Sequence, residues 1–319
     1  MMNKKEFKTL DEQIQTLKNK NLIISDEEQA KDVLLKENYF FLNGYRFLFY
    51  DNKNRKFING TTFEELYSAF LFDRTFRNIL FKNLLIVENN VKSIISYELS
   101  KKYGFKEKDY LKPENFNRDY KESRRVEDVI NKMKRQIRVN GDKHTATYHY
   151  ITKYGYIPMW ILVKVLSFGL INELYGILKP EDKDEIAKIY NLDSETLKIY
   201  LSLLANYRNL CAHEDIVFNH RTQTIIPDTI YHDLLKIEKK EDEYIRGKND
   251  IFSVIIILKQ MLSKNKFKEF MDEINKALNI FYKNVGTIEN SVILDNMGFP
   301  NNYQELVSIR GEKWIRREL

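Results

Sequence analysis

A single cysteine, Cys211, five prolines and eleven glycines are all that this chain of 319 residues carries of the residues that staple or punctuate a backbone. One cysteine excludes an intramolecular disulfide framework and any zinc site built from several thiolates. Scarce glycine and proline exclude a loop-rich or turn-rich β architecture and favour long helices, whose interiors both residues weaken. Long apolar runs are missing as well. The most apolar, Ile251 to Leu258, is interrupted by Ser253 and stopped by Lys259, too short to span a bilayer. The opening residues Met1 to Glu6 contain no apolar signal-peptide core. A cytoplasmic protein without membrane association is expected.

What is present is aromatic and charged. Twenty Phe and twenty Tyr supply ample core volume, and 52 basic against 46 acidic residues leave a net charge of +6. That mild excess permits nucleic-acid binding without demanding it. The expected fold class is mainly α.

Leu10, Ile14 and Leu17 recur at helical spacing and predict a short first helix ending at the polar patch Lys18–Asn21. Ser25-Asp26-Glu27-Glu28 and Thr62-Phe63-Glu64-Glu65 both read as capping boxes, each opening a helix. Between them, the aromatic stretch 38–50 has no clean period, and Asn43-Gly44 predicts a turn. From Thr62 no Gly or Pro intervenes until Gly104. A helix of that length would run roughly 60 Å, so a kink or break is expected within it. Leu80, Leu84, Val87, Val91, Ile94, Ile95 and Leu99 line one face, with Gly104 as C-cap and a loop over 106–116.

Residues 118–143 are dense in Arg and Lys; Arg124, Arg125, Lys132, Lys134, Arg135 and Arg138 form either a solvated helix face or an RNA-contacting surface. Pro158 suits the first turn of the next helical stretch, which Gly169 and Gly176 punctuate, and Lys179-Pro180-Glu181-Asp182 reads as a surface turn. Asp193 or Ser194 caps a helix whose inner stripe is Leu197, Tyr200, Leu201, Leu204 and Leu210. Beyond it come an irregular stretch to Thr229, helices over about 251–263 and 267–282, and a polar tail. The expected division is an N-terminal helical and aromatic segment (1–60), a helical domain (61–235) and a helical C-terminal extension (236–319).

The helix capped near Asp193 carries Arg208-Asn209-Leu210-Cys211-Ala212-His213. A composition with 15 Arg and 5 His yields Arg-x4-His by chance about once in four such chains, so spacing alone carries little. The chemistry is apt all the same. Asn209 and His213, four apart, share a helix face; Arg matches phosphate oxygens, and imidazole moves protons near neutral pH. Two readings stay open at this level. The trio could cleave RNA without metal, or Arg208 could pair with Glu214 or Asp215 while His213 caps the helix.

Several segments, in order along the chain, carry a resemblance. Asn38-Tyr39 with Leu42-Asn43-Gly44-Tyr45, Tyr97-Glu98-Leu99-Ser100 with Tyr103-Gly104, Ile157-Pro158-Met159-Trp160, Leu166-Ser167-Phe168-Gly169, Tyr207 to His213, and Phe218-Asn219-His220-Arg221 closely resemble the Abi-like (AbiD/AbiF) abortive-infection family of bacteria. The resemblance covers most of the chain to about residue 240. It implies a multi-helix bundle of the HEPN type and an RNA-cleaving toxin. Arg208 and His213 would be the catalytic pair, Asn209 the polar residue beside the Arg, and Glu88 the acid that orients that Arg. It further implies two motifs facing each other in a homodimer, a small structured regulatory RNA beside the target RNA, and no cofactor or metal. Two features depart from the family: Glu214-Asp215 place acids directly after the motif, and His220 interrupts a commoner Asn-Arg ending.

Other residues read more plainly. Cys211 between Leu210 and Ala212 reads as a packed thiol, and Trp160 as core. Tyr45 and Arg46 suit either core packing or base stacking, and Arg46 is a candidate RNA contact. His144, His149, His220 and His232 lack ligand spacing. Arg310, Arg316 and Arg317 near the end read either as further phosphate contacts or as a solvated tail.

Overall fold

The computed structural model describes residues 6–309; Arg310, Arg316 and Arg317 lie outside the described residues. The fold is mainly α, with 67% of the described residues helical. The helices are α1 (Leu10–Lys18), α2 (Glu27–Glu37), α3 (Tyr39–Asn43), α4 (Phe63–Tyr103), α5 (Glu107–Tyr110), α6 (Ser123–Asn140), α7 (Thr145–Tyr154) and α8 (Met159–Val165). They continue with α9 (Phe168–Ile177), α10 (Pro180–Lys188), α11 (Ser194–Ala212), α12 (Ile230–Leu234), α13 (Ile251–Met261), α14 (Lys264–Asn284) and α15 (Asn290–Met297). Two antiparallel two-stranded ribbons interrupt them, Tyr50–Asp51 with Lys56–Phe57 and Lys239–Lys240 with Glu243–Tyr244.

Helix α4 is the axis of the molecule. Thr62 Oγ1 accepts from the Glu65 N–H at 3.2 Å while Glu65 accepts from the Thr62 N–H at 3.0 Å, the reciprocal box that starts the helix. Gly104, at φ +88°, stops it, with its N–H donating to the Ser100 carbonyl. No break divides the 41 residues between, contrary to the expectation from length. Helices α8, α9, α10, α11, α13 and α14 all pack against α4. Apolar side chains therefore suit several of its faces at once, and burial supports the helix along its length. Phe72 stacks on Phe281 of α14 at 4.7 Å between ring centroids. Tyr103 and Lys102 at the far end donate to Asp182 of α10 at 2.6 and 2.5 Å.

The C-terminal helices enter the same core. All eleven residues of α13 are buried, and Glu65 also accepts from the N–H groups of Gly286 and Thr287, at 2.7 and 2.8 Å, and from the Thr287 hydroxyl.

Several local expectations are corrected. Helix α2 is capped by Asp26, not Ser25; Asp26 accepts from the Gln29 N–H at 2.9 Å while Glu28 pairs with Lys31. Asn43-Gly44 makes no reversal: α3 runs straight into a 3-10 turn over Gly44–Leu48. A Cβ at Gly44 would sit 2.6 Å from Ile216 Cδ1, so that side chain would have to shift. The stretch 106–116 contains α5 and a 3-10 turn. Gly169 and Gly176 lie inside α9, and a Cβ on Gly176 would meet the Arg125 guanidinium at 2.5 Å. Lys179-Pro180 opens α10, using the proline where a missing N–H costs nothing.

Candidate active site

Helix α11 is positioned by its cap and its stripe. Asp193 accepts from the Thr196 N–H at 2.8 Å and from its hydroxyl at 2.6 Å. Leu197, Tyr200, Leu201, Leu204 and Tyr207 are buried against the bundle. The helix ends at Ala212, and His213 is the C-cap residue, its N–H donating to the Asn209 carbonyl at 3.0 Å. Glu214 then adopts φ +57°, which turns the chain so that the Asp215 N–H reaches the Leu210 carbonyl at 3.1 Å. Asn209, Ala212, His213, Glu214 and Asp215 are exposed, so the motif opens onto the surface at the end of the helix.

Where α11 crosses α4, Glu88 meets Arg208. The Arg208 Nε–H donates to Glu88 Oε2 at 3.0 Å, and Lys92, one turn along α4, donates to Glu88 Oε1 at 2.6 Å. The Glu88 side chain is 4% exposed and that of Arg208 26%. One nearly buried carboxylate is thus held between two basic side chains, Arg208 and Lys92. The guanidinium also lies over the Phe81 ring at 5.6 Å. Among the described residues Arg208 hydrogen-bonds through Nε alone, so both terminal nitrogens remain available as donors. The alternative partners fall away. Glu214 faces Arg74 at 3.9 Å, and Arg74 itself grips Glu37 through two bonds of 2.9 and 2.7 Å. Among the described residues the His213 ring makes no hydrogen bond or ion pair.

A second acid–arginine contact lies behind the motif and was missed in the sequence. Asp73 and Arg77 of α4 form a buried ion pair, their side chains 1% and 3% exposed. The Tyr45 hydroxyl donates to Asp73 Oδ2 at 2.7 Å, as does the Val217 N–H at 3.4 Å, and Arg77 reaches the Asp215 carbonyl at 3.4 Å. This network clamps the segment just after the motif onto α4. Burial pushes the Asp73 carboxyl up to about 6 against the pull of Arg77. The sequence held a signal: an Asp and an Arg four apart amid Phe70, Phe72, Phe76 and Leu80 face the core, where a charge has to bring its partner. Tyr45 is therefore core and clamp, closed to base stacking.

The expected RNA contacts lie elsewhere. Arg46 is exposed and leans over Tyr50 at 5.2 Å. Helix α6 buries Val126, Val129, Ile130 and Met133 and turns Arg124, Arg125, Lys134, Arg135 and Arg138 to solvent. Arg125 pairs with Glu122 at 3.4 Å; the other four have no acidic partner among the described residues.

Cys211 is buried, and desolvation pushes its thiol up to about 12, as a packed residue should behave. Trp160, read as core, is 43% exposed; the neighbouring Met159 and Ile161 take the inward positions instead. His220 sits 3.0 Å from Asn206 and edge-on to Tyr207, and burial, then Arg221, lowers its pKa. His232 Nδ1 accepts from the Thr229 N–H, so its other nitrogen donates to the Gly247 carbonyl at 2.9 Å. Among the described residues no three His, Cys, Asp or Glu side chains could together hold a metal ion, and no helix is long and apolar enough to cross a membrane.

The family model described as "Abi-like protein" matches residues 32–219, from within α2 to just past the clamped segment. Neither a search of curated proteins nor one of solved structures finds a match.

Proposed function

The chain belongs to the Abi-like protein family, and from that premise we propose that it is an abortive-infection ribonuclease of the HEPN type. Family membership supports the role in abortive infection. One observation supports the chemistry: Glu88 holds Arg208 by Nε, leaving its two terminal nitrogens open beside the exposed His213 and Asn209. That is how a guanidinium has to be held to meet a phosphate bidentately.

In the proposed reaction the ribose 2′-hydroxyl attacks the adjacent phosphorus. An imidazole takes the 2′ proton as the O2′–P bond forms. Arg208 offsets the charge that grows on the non-bridging oxygens. A protonated imidazole gives a proton to O5′ as the P–O5′ bond breaks, leaving a 2′,3′-cyclic phosphate and a 5′-hydroxyl. One chain supplies one motif, and the motif opens onto the surface. A homodimer placing two motifs face to face would let one His213 act as base and the other as acid. A small structured RNA is the proposed regulator. The exposed cations of α6 and Arg46 are proposed to hold phosphates.

The test compares wild type, Arg208→Ala and His213→Ala on purified RNA with a chelator present, and in cells by growth arrest. Each variant is expected to lose cleavage by about a hundredfold or more, with cyclic-phosphate ends formed by wild type alone. Unaltered cleavage in both variants would remove the assignment. Tight RNA binding with no cleavage by wild type would make the protein a binding module.

A further inference from the structure

Helix α7 is an anomaly in a well-packed molecule: Thr147 is the single buried residue of its ten. It ends cleanly, with Gly155 at φ +75° donating its N–H to the Ile151 carbonyl. Its outer residues are large and apolar rather than charged. Tyr148, Ile151 and Tyr154 are 53%, 38% and 47% exposed, and Trp160 and Phe105 beside them are 43% and 41% exposed. An exposed patch of this kind carries a hydration cost that function usually explains.

Five rings follow one another in a tilted row, with Trp160, Phe105 and Tyr154 exposed and Tyr156 and Tyr150 half-buried. Trp160 lies 5.9 Å from Phe105, Phe105 5.7 Å from Tyr156, Tyr156 6.3 Å from Tyr154, and Tyr154 5.3 Å from Tyr150, all centroid to centroid. Lysines are interleaved with them. Lys106 Nζ stands 4.9 Å from the Tyr156 ring and Lys153 Nζ 5.4 Å from Tyr154. No Asp or Glu occurs between Asp142 and Glu173, while Lys143, Lys153 and Lys164 all do. Nearby Glu107 has its carboxylate engaged by the Ile157 N–H at 2.8 Å. The row also adjoins the basic helix α6, since Ile151 packs against Gly141 at the end of α6.

We propose that the ring row from Trp160 to Tyr150 is a stacking platform for unpaired bases of single-stranded RNA, with Lys106 and Lys153 countering its phosphates. Every base has a π face, so rings in a row accept successive unpaired bases without reading their identity. A duplex hides those faces and is expected to bind poorly here. A protein partner, or a second copy of this chain, would be served by aliphatic side chains as well as by rings and has no need of a stretch free of acids; the charge favours RNA. The choice of RNA over DNA rests on the proposed function; the stacking site does not.

The experiment uses the full chain carrying His213→Ala, so that RNA is not consumed, and Trp314→Phe, so that Trp160 is the remaining tryptophan. A labelled oligouridylate of roughly 12 nucleotides is titrated by anisotropy while Trp160 fluorescence is followed. Saturable quenching of Trp160 is expected, with Tyr154→Ala weakening binding about tenfold, Tyr154→Leu weakening it similarly, and Tyr154→Phe leaving it intact. Unchanged thermal melting checks that these exposed substitutions spare the fold. Binding equal in Tyr154→Ala and parent, no quenching, tolerance of Tyr154→Leu, or self-association that Tyr154→Ala abolishes would each overturn the proposal. Cleavage by wild type is scored separately. RNA stacked on the platform by a chain that never cuts would sink the proposed activity alone, and cutting that ignores the platform variants would sink the platform alone.

Discussion

Asp73 and Glu88 stand roughly 22 Å apart along the same helix, and each meets an arginine, yet the two contacts have opposite characters. At Asp73 the partner Arg77 is on the same helix and both side chains are sealed, with Tyr45 and the backbone of Asp215 and Val217 completing the set. At Glu88 the partner comes from another helix, is a quarter exposed, and keeps two nitrogens unused among the described residues. The first contact is sealed from solvent; the second is held at one edge and open at the other. Burial, rather than the pairing chemistry, separates a structural clamp from a candidate catalytic group.

The largest expected effect breaks the clamp. Asp73→Ala or Arg77→Ala leaves one buried charge uncompensated and is expected to cost about 3–5 kcal/mol, read as a lower denaturation midpoint. A cost below about 1 kcal/mol would place this pair with surface pairs and erase the contrast. At the open contact the balance is reversed. Arg208→Ala is expected to remove about 2.7 kcal/mol of transition-state stabilisation, a hundredfold in rate, while stability changes little because Lys92 still counters Glu88. Glu88→Gln keeps an oxygen for the Arg208 Nε–H but loses the charge. It is expected to lower kcat about tenfold with KM nearly unchanged, a split that a mere packing role would not produce.

Smaller effects sharpen the picture of the sealed region. Burial raises the Asp73 carboxyl from 3.8 to about 6, so the folded chain binds that proton more tightly than the unfolded chain. The associated stabilisation is complete below about 3.8 and is lost as pH rises through about 6. Melting of wild type against Asp73→Asn across that window should show wild type losing ground as pH rises; a constant difference would contradict the burial argument. Cys211 beside the clamp should resist thiol reagents at pH 8 until the chain unfolds, because its thiol is held up to about 12. Rapid labelling of the native protein would show that this end of α11 opens.

Local rules read well wherever neighbours in sequence settle the outcome. The Thr62/Glu65 box, the Gly104 stop and the Asp193 cap depend on contacts within four residues, and all three are where spacing puts them. Reading fails where a distant surface decides. Gly176 sits inside a helix with the Arg125 side chain across it, and Gly44 has the Ile216 side chain close against it. Trp160 is exposed because Met159 and Ile161 take the inward positions. The contact between Glu88 and Arg208 spans 120 residues of sequence; it was expected from the resemblance to relatives, not from any periodicity in the chain.

Composition and short-range pattern alone were enough to settle that this chain is helical and where its principal helices begin. Those outcomes rest on backbone propensity, capping and side-chain type, all properties of a residue and its near neighbours. The tertiary structure alone decided which charges are sealed and which stay open, that α4 runs unbroken, and that Tyr148, Tyr154 and Trp160 are exposed. Burial is a property of what packs from elsewhere in the chain, and burial sets both the cost of a charge and the availability of a ring.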